Sequence, residues 1–192
     1  MIDQVPQGVT ALIFDLDGTL VDSTQVHFAA WHQTLAEVGI ELDFDSFQEL
    51  FGRTNPDIIR EMERRAGKEL STEELGRRKD YYFSRNVTML QPNLRVVEVV
   101  EHYSRVFPMA VATNERTGIA NMALRATGLQ PHFDTLVCGD EVSRPKPDPE
   151  IYILAAERIG RPPRECHVFE DSVYGLEAAR AAEMSVTDVR PY

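Results

Sequence analysis

The chain has 192 residues, 43% of them hydrophobic and 27% charged, with a formal net charge of -11. That length holds one ordinary domain, or a core domain with a smaller insert, and either buries a sizeable core. So acidic a balance gives no electrostatic ground for binding nucleic acid or an anionic membrane, and any anionic substrate must meet a local basic pocket. Residues 1–6 lack a basic n-region and a long apolar core, and no uninterrupted apolar run approaches the ~18 residues of a membrane span. A soluble, cytoplasmic protein is expected. Cys138 and Cys166 fall in predicted strands and read as buried small apolar residues of a reducing compartment.

In chain order, residues 9–14 form a short, nearly all-apolar run of the kind shown by parallel strands buried on both faces. Directly after it stand Asp15 and Asp17, two carboxylates at i and i+2 that point the same way in extended chain. Ionising both is costly unless a cation sits between them or one keeps its proton. An acidic, oxygen-lined pocket suits Mg²⁺, which bridges carboxylates to a phosphate, so the pair points to phosphoryl chemistry. Gly18 lets the backbone turn tightly behind them.

Residues 22–90 break the strand–helix alternation and offer helix-period segments only. Helices are predicted over 27–38, with Phe28, Trp31, Leu35 and Val38 on one stripe, and over 56–66, with Asn55 as cap and Pro56 in the first turn. A third is capped at Ser71 and runs towards Phe83, and the mixed charges of residues 60–65 read as a solvated face. Residues 19–23 and 91–93 read as outgoing and return hinges. Beyond them, strands are predicted over 109–112, 135–138, 167–169 and 186–189. Helices over 93–106, 117–127, 149–159 and 173–182 separate them, with end signals at Asn93, Gly128 and Asp148-Pro149. Right-handed crossovers then give an α/β fold, a doubly wound parallel sheet with an inserted α-helical module, its active residues at strand carboxyl ends. Asp15, Thr113, Asp140 and Glu170 all fall there. The expected division is a core of residues 1–21 and 91–192 and a cap of residues 22–90.

The run Asp15-Leu16-Asp17-Gly18-Thr19-Leu20 resembles the first signature of the haloacid dehalogenase superfamily, chiefly phosphatases and phosphomutases. The other signatures follow in order: Thr113 ending Met109-Ala110-Val111-Ala112-Thr113-Asn114, Lys146 in a proline-restricted loop, and the acidic pair Glu170-Asp171 with Gly175 beyond it. The helical insert, with His27-Phe28 and Trp31, resembles the beta-phosphoglucomutase-like branch, which includes sugar-phosphate phosphatases. The resemblance implies Asp15 as nucleophile, forming an aspartyl-phosphate, and Asp17 as general acid and base, its proton affinity raised by nearby Asp15. It implies Mg²⁺ held by Asp15, the Asp17 backbone carbonyl and Asp171, with Glu170 close by, and phosphate oxygens held by Thr113, the Asn114 amide and Lys146. Gly18 and Thr19 would line the substrate side of the acidic loop.

In the insert, Gly52-Arg53-Thr54-Asn55 matches the branch's substrate-specificity loop. Gly52 permits close approach and Arg53 would reach a second anionic group. Mutases of this branch carry an Arg where this sequence has Asn55, which weakens the mutase reading, and Arg53 or Lys79 are the candidates to replace that Arg. His27 is divided between a polar contact at a helix start and a substrate contact, whereas Trp31 reads as core. His32, His102, His132 and His167 show no metal-ligand spacing and read as structural or surface residues. The residues after 189 suggest an abbreviated core with an exposed edge, and oligomeric state stays open. The leading expectation is a Mg²⁺-dependent phosphatase acting on a small phosphorylated metabolite, a sugar phosphate such as fructose 1-phosphate. A phosphomutase is the alternative, and a phospho-accepting receiver, against which the insert argues, the remote one. No P-loop, Gly-x-Gly-x-x-Gly, Gly-x-Ser-x-Gly or His-Glu-x-x-His pattern occurs.

Overall fold

The apolar run near the amino terminus forms β1 (Ala11–Phe14), every residue of which is buried. In this computed structural model, which describes residues 5–190, the chain leaves β1 through β2 (Val21–Asp22) into four helices. These are α1 (Thr24–Ala36), α2 (Phe44–Gln48), α3 (Asn55–Ala66) and α4 (Thr72–Asn86). It returns through β3 (Gln91–Pro92) to α5 (Leu94–Tyr103), β4 (Met109–Thr113), α6 (Thr117–Ala126) and β5 (Thr135–Cys138). Then come α7 (Glu150–Arg158), β6 (Cys166–Glu170), α8 (Val173–Ala181) and β7 (Ser185–Asp188). The expectation drawn from residues 1–6 falls mainly on residues 1–4, which lie outside the described residues.

Five strands make one parallel sheet in the order β5-β4-β1-β6-β7, as the alternation of strands and helices predicts. Alternate side chains of β1 feed two separate cores. Leu12 and Phe14 join Val96, Val99 and Val100 of α5 and Ile119 and Ala123 of α6. Ala11 and Ile13 face the other way, against Ile151, Tyr152 and Ala155 of α7 and Ala178 and Ala179 of α8. The connections after β1 and after β6 therefore run to opposite faces, and the crevice at the carboxyl ends of these two neighbours is where an open α/β sheet binds ligands.

The four helices between β2 and β3 have an apolar cluster of their own, drawn from Trp31 and Leu35 of α1, Phe47 of α2, Ile58, Ile59 and Met62 of α3 and Leu75 of α4. Trp31 is thus a core residue, as expected. The chain leaves and returns through two short strands that pair antiparallel, Val21 opposite Pro92 and Asp22 opposite Gln91, so the two hinges expected from the sequence lie side by side.

Several local expectations are corrected. The helix after residue 54 is capped by Thr54, whose Oγ1 accepts the Asp57 N–H at 3.3 Å, and not by Asn55, which is its first residue. Asn93 occupies the cap position of α5 but makes no side-chain capping bond. Asp140 is drawn away from the carboxyl-end cluster, because its carboxylate accepts the Thr117 N–H at 3.0 Å and hydroxyl at 2.7 Å at the start of α6. The short α2, capped by Asp43, carries too few residues to show a period.

Candidate active site

Asp15 follows β1 directly, its N–H bonded to the Phe169 carbonyl of β6 at 3.0 Å, which brings the ends of the two strands together. The chain then turns within a few residues: Gly18 has φ +87°, and its N–H reaches the Val21 carbonyl at 2.8 Å. Only glycine fits that place, since a Cβ on Gly18 would lie 2.1 Å from Asp171 Oδ2. Thr19 donates its hydroxyl to Asp171 Oδ1 at 3.1 Å. On the opposite side Ser172 caps α8, and its backbone N–H binds Glu170 Oε2 at 2.6 Å. Gly175 gives Glu170 its room, because a Cβ there would fall 1.7 Å from Glu170 Oε1.

The result is a cluster in which one carboxylate oxygen from each of Asp15, Glu170 and Asp171 lies within 4.8 Å of the others. Lys146 enters it from the loop before α7, with Nζ 2.6 Å from Asp15 Oδ1 and 2.8 Å from Glu170 Oε1. Tyr152 closes the floor, donating its hydroxyl to Glu170 Oε1 at 3.2 Å with the Lys146 ammonium 4.8 Å from its ring centre. Burial dominates the electrostatics. It pushes the Asp15 carboxyl well above the ordinary range, opposed by the charge of Lys146 and reinforced by Glu170 and Asp171. Burial, then the Glu170 charge, pushes Asp171 up to about 7, against the Thr19 hydroxyl bond. Burial acts to lower Lys146, but Asp15 and Glu170 outweigh it and keep the ammonium charged.

Three oxygen donors converging on one point, with more negative charge than a single lysine balances, fit a hard divalent cation. A second group of ligand-type atoms, from Asp17, His27 and Glu115, fits one less well: it mixes nitrogen with oxygen, and Lys79 already neutralises Glu115.

Asp17 stands apart from the cluster. It turns towards α1, where His27 Nε2 is 2.9 Å from its Oδ1. Burial acts to raise its carboxyl, yet the charge and hydrogen bond of His27, aided by Ser23 and Lys79, leave it below the ordinary value. The expected rise in proton affinity falls instead on Asp15 and Asp171, which burial and then the Glu170 charge raise, whereas Asp17 faces the His27 imidazole.

The pocket above the cluster is lined from the sheet side by Asp15, Asp17, Thr113, Asn114, Lys146 and Glu170. From the helical insert it is lined by His27, Gly52, Arg53 and Asn55, with apolar walls of Trp31, Phe47, Phe51 and Ile58. Thr113 Oγ1 accepts the Glu115 N–H at 3.1 Å, which leaves its hydroxyl proton free to donate to a ligand. Asn114 links both sides: Oδ1 accepts the Lys146 N–H at 2.9 Å and Nδ2 donates to the Gly52 carbonyl at 3.3 Å. Gly52, at φ +85°, passes so close to α8 that a Cβ would lie 3.3 Å from the Ser172 side chain. Arg53 Nε and Asn55 Nδ2 are buried donors without a hydrogen-bond partner. Of the sequence-derived set, Thr54 does not reach the pocket and serves as the α3 cap, while Gly18, Thr19 and Asp171 lie beneath it. Lys79 is not free to replace the mutase Arg, since Glu115 takes its ammonium. Glu115, Tyr152 and Ser172 escaped the sequence reading. Of these, only Ser172, beside Glu170-Asp171, had a local signal.

Comparison with known proteins agrees with this arrangement. Residues 12–189 match the family described as haloacid dehalogenase-like hydrolase. The chain is 36% identical to the fructose-1-phosphate phosphatase YqaB of Escherichia coli over 93% of its own length and 95% of that protein's. It is 27% identical to the beta-phosphoglucomutase of Bacillus subtilis, over 93% and 82%. Among solved structures, CbbY of Rhodobacter sphaeroides in complex with xylulose-(1,5)bisphosphate superposes with a TM-score of 0.83 at 27% identity, covering 93% of this chain and 84% of that one. The chain belongs to the haloacid dehalogenase-like hydrolase family, in the branch that contains beta-phosphoglucomutase. It is an enzyme of the phosphate-ester hydrolase class.

Proposed function

We propose that this protein is a Mg²⁺-dependent phosphatase of small phosphorylated metabolites, with sugar phosphates of the fructose 1-phosphate kind as its substrate class. The observation that carries this reading is the convergence of Asp15, Glu170, Asp171 and Lys146 at the carboxyl ends of β1 and β6. Asp15 attacks phosphorus and forms an aspartyl-phosphate, which water then hydrolyses. Asp17, whose proton affinity the negative charge of the bound phosphate ester raises against the opposing pull of His27, delivers a proton to the leaving oxygen and later takes one from the attacking water. Thr113, the Asn114 amide and Lys146 hold the phosphoryl oxygens. Asp15, Glu170 and Asp171, with the Asp17 carbonyl, would hold Mg²⁺, which supplies neutralising charge while the phosphoryl group transfers.

Residues 22–90 act as a cap over a core of residues 1–21 and 91–192, and their own apolar cluster and the paired β2 and β3 strands support that division. The cap side offers Arg53 Nε and Asn55 Nδ2, two unspent donors suited to sugar hydroxyls, beside apolar walls. The relative at 36% identity, named for fructose 1-phosphate, and the neighbour that binds a sugar bisphosphate support the same class. With Asn55 in the place of the mutase Arg and Lys79 bound to Glu115, only Arg53 remains to grip a second phosphate, and hydrolysis is favoured over mutase chemistry. The two buried free thiols suit a reducing compartment, and the cytoplasm is the proposed location. No helix is long and apolar enough to cross a membrane among the described residues.

The test is phosphate release from a panel of sugar phosphates with and without Mg²⁺, with phosphorus NMR to identify products. Asp15→Asn should lower turnover more than about 10³-fold while the circular dichroism spectrum is unchanged. Full activity in that variant overturns the nucleophile, and isomerised products in excess of free phosphate overturn the phosphatase reading.

A further inference from the structure

A buried line of ionisable side chains starts at Asp17 and leaves the family signatures behind. His27 on α1 sets Nε2 2.9 Å from Asp17 and Nδ1 3.9 Å from Glu115 Oε2. That same Glu115 oxygen takes the ammonium of Lys79 on α4, and Glu115 Oε1 accepts the Arg116 backbone N–H at 3.0 Å. The Lys79 side chain is 1% exposed and that of Glu115 8%. An ammonium so fully withdrawn from water is tolerated only beside a counter-charge, so each of the two accounts for the burial of the other. The next residues along form a second, more exposed pair across the same seam, Arg116 to Asp80 at 3.2 Å. Consecutive Lys79-Asp80 thus meets consecutive Glu115-Arg116 with signs reversed, and a slip of one residue would set like charges together.

We propose that Glu115 is a positioning residue for proton transfer: anchored to α4 through Lys79, it holds the His27 imidazole against Asp17 and so aims Asp17 at the leaving oxygen. The inference rests on the phosphatase reading above. In that step an Asp15 carboxylate oxygen bonds to phosphorus as the bond from phosphorus to the leaving oxygen breaks, and the electron pair left on that oxygen takes the Asp17 proton. An alkoxide needs that proton and a nitrophenolate does not.

The experiment compares kcat/KM, which reports steps up to phosphoryl transfer, for fructose 1-phosphate and p-nitrophenyl phosphate. The double variant Glu115→Gln with Lys79→Met removes both charges at similar volume and leaves no orphaned ammonium. Its kcat/KM should fall about 30-fold or more on the alkyl ester and less than about threefold on the aryl ester. Arg116→Ala, which breaks only the exposed pair, should leave the ratio of the two substrates unchanged. If the double variant fails to fold, Glu115→Asp, which withdraws the carboxylate by one methylene, is read by the same ratio. Equal losses on both esters, or no loss on either, in a folded variant overturn the proposal and reduce Glu115 to a packing partner of Lys79. Wild-type protein that hydrolyses neither ester overturns the phosphatase reading itself, and the inference falls with it.

Discussion

At the residue scale, one glycine and one carboxyl decide how the acidic cluster behaves. A methyl group on Gly175 would collide with Glu170, which is itself fully buried, so nothing nearby yields cheaply. Gly175→Ala should therefore destabilise by about 2–3 kcal/mol in urea unfolding and displace Glu170 from Lys146, with activity lost even where the protein still folds. Asp171 makes a pH prediction. Its carboxyl holds a proton up to about 7 in the folded chain and only up to about 3.8 in the unfolded one. Between those values the folded state binds more protons, so the group favours folding at low pH and withdraws that contribution as pH rises towards 7. On the proposed Mg²⁺-dependent mechanism, a cation would replace the proton above that point. Metal activation should consequently weaken as pH falls below about 7, and Asp171→Asn should lose both Mg²⁺ activation and this pH dependence, measured by Mg²⁺ titration between pH 5.5 and 8.5.

At the element scale, the pairing of β6 with β7 carries a titrating group in the opposite sense. His167 of β6 reaches across to the β7 hydroxyls of Ser185 at 2.7 Å and Thr187 at 2.8 Å. Neutral imidazole has one donor and one acceptor nitrogen for these two hydroxyls. Burial lowers its proton affinity to about 4, so the unfolded chain binds the extra proton between about 6.5 and 4. This contribution is present above 6.5 and lost as pH falls, by about 3 kcal/mol at pH 4 on the unit-by-unit conversion. His167→Gln should flatten the acid limb of a plot of urea midpoint against pH, and an unchanged slope would show that another group sets it. The charged face of α3 behaves as its sequence suggests. Arg60 pairs with Asp57 at 2.5 Å and Arg64 with Glu61 at 2.6 Å, all on an exposed helix where such pairs contribute little.

At the scale of the whole molecule, topology and charge converge on one crevice. The strand connections diverge between β1 and β6, which opens a cleft at their carboxyl ends, and the four-helix insert supplies its opposite wall. A chain of net charge -11 presents a phosphate ester with cations at that cleft, Lys146 on one side and Arg53 on the other. The acids that converge there repel one another, so ion binding should stabilise the entire fold. At Mg²⁺ about 100-fold above its dissociation constant, linkage adds about 2.7 kcal/mol. For a chain of this size that raises Tm by about 5–10 °C at pH 8, a gain that EDTA should reverse. A Tm indifferent to Mg²⁺ would show that the folded chain does not bind the ion.

Strand identity, helix periodicity and the four signatures were legible in the amino-acid sequence because each is local. An apolar run such as Ala11 to Phe14 declares a buried strand, and an acid at its end declares the carboxyl edge of a sheet. The inward placement of Asp15, Thr113, Lys146 and Glu170 follows from those local facts once the strands are parallel. What the tertiary structure alone decided are contacts between side chains far apart in the chain: Lys79 on Glu115, Tyr152 under Glu170, His27 rather than Asp15 as the partner of Asp17. No period records these, because they depend on the angle at which one element settles on another, and burial then magnifies whatever charges that angle brings together.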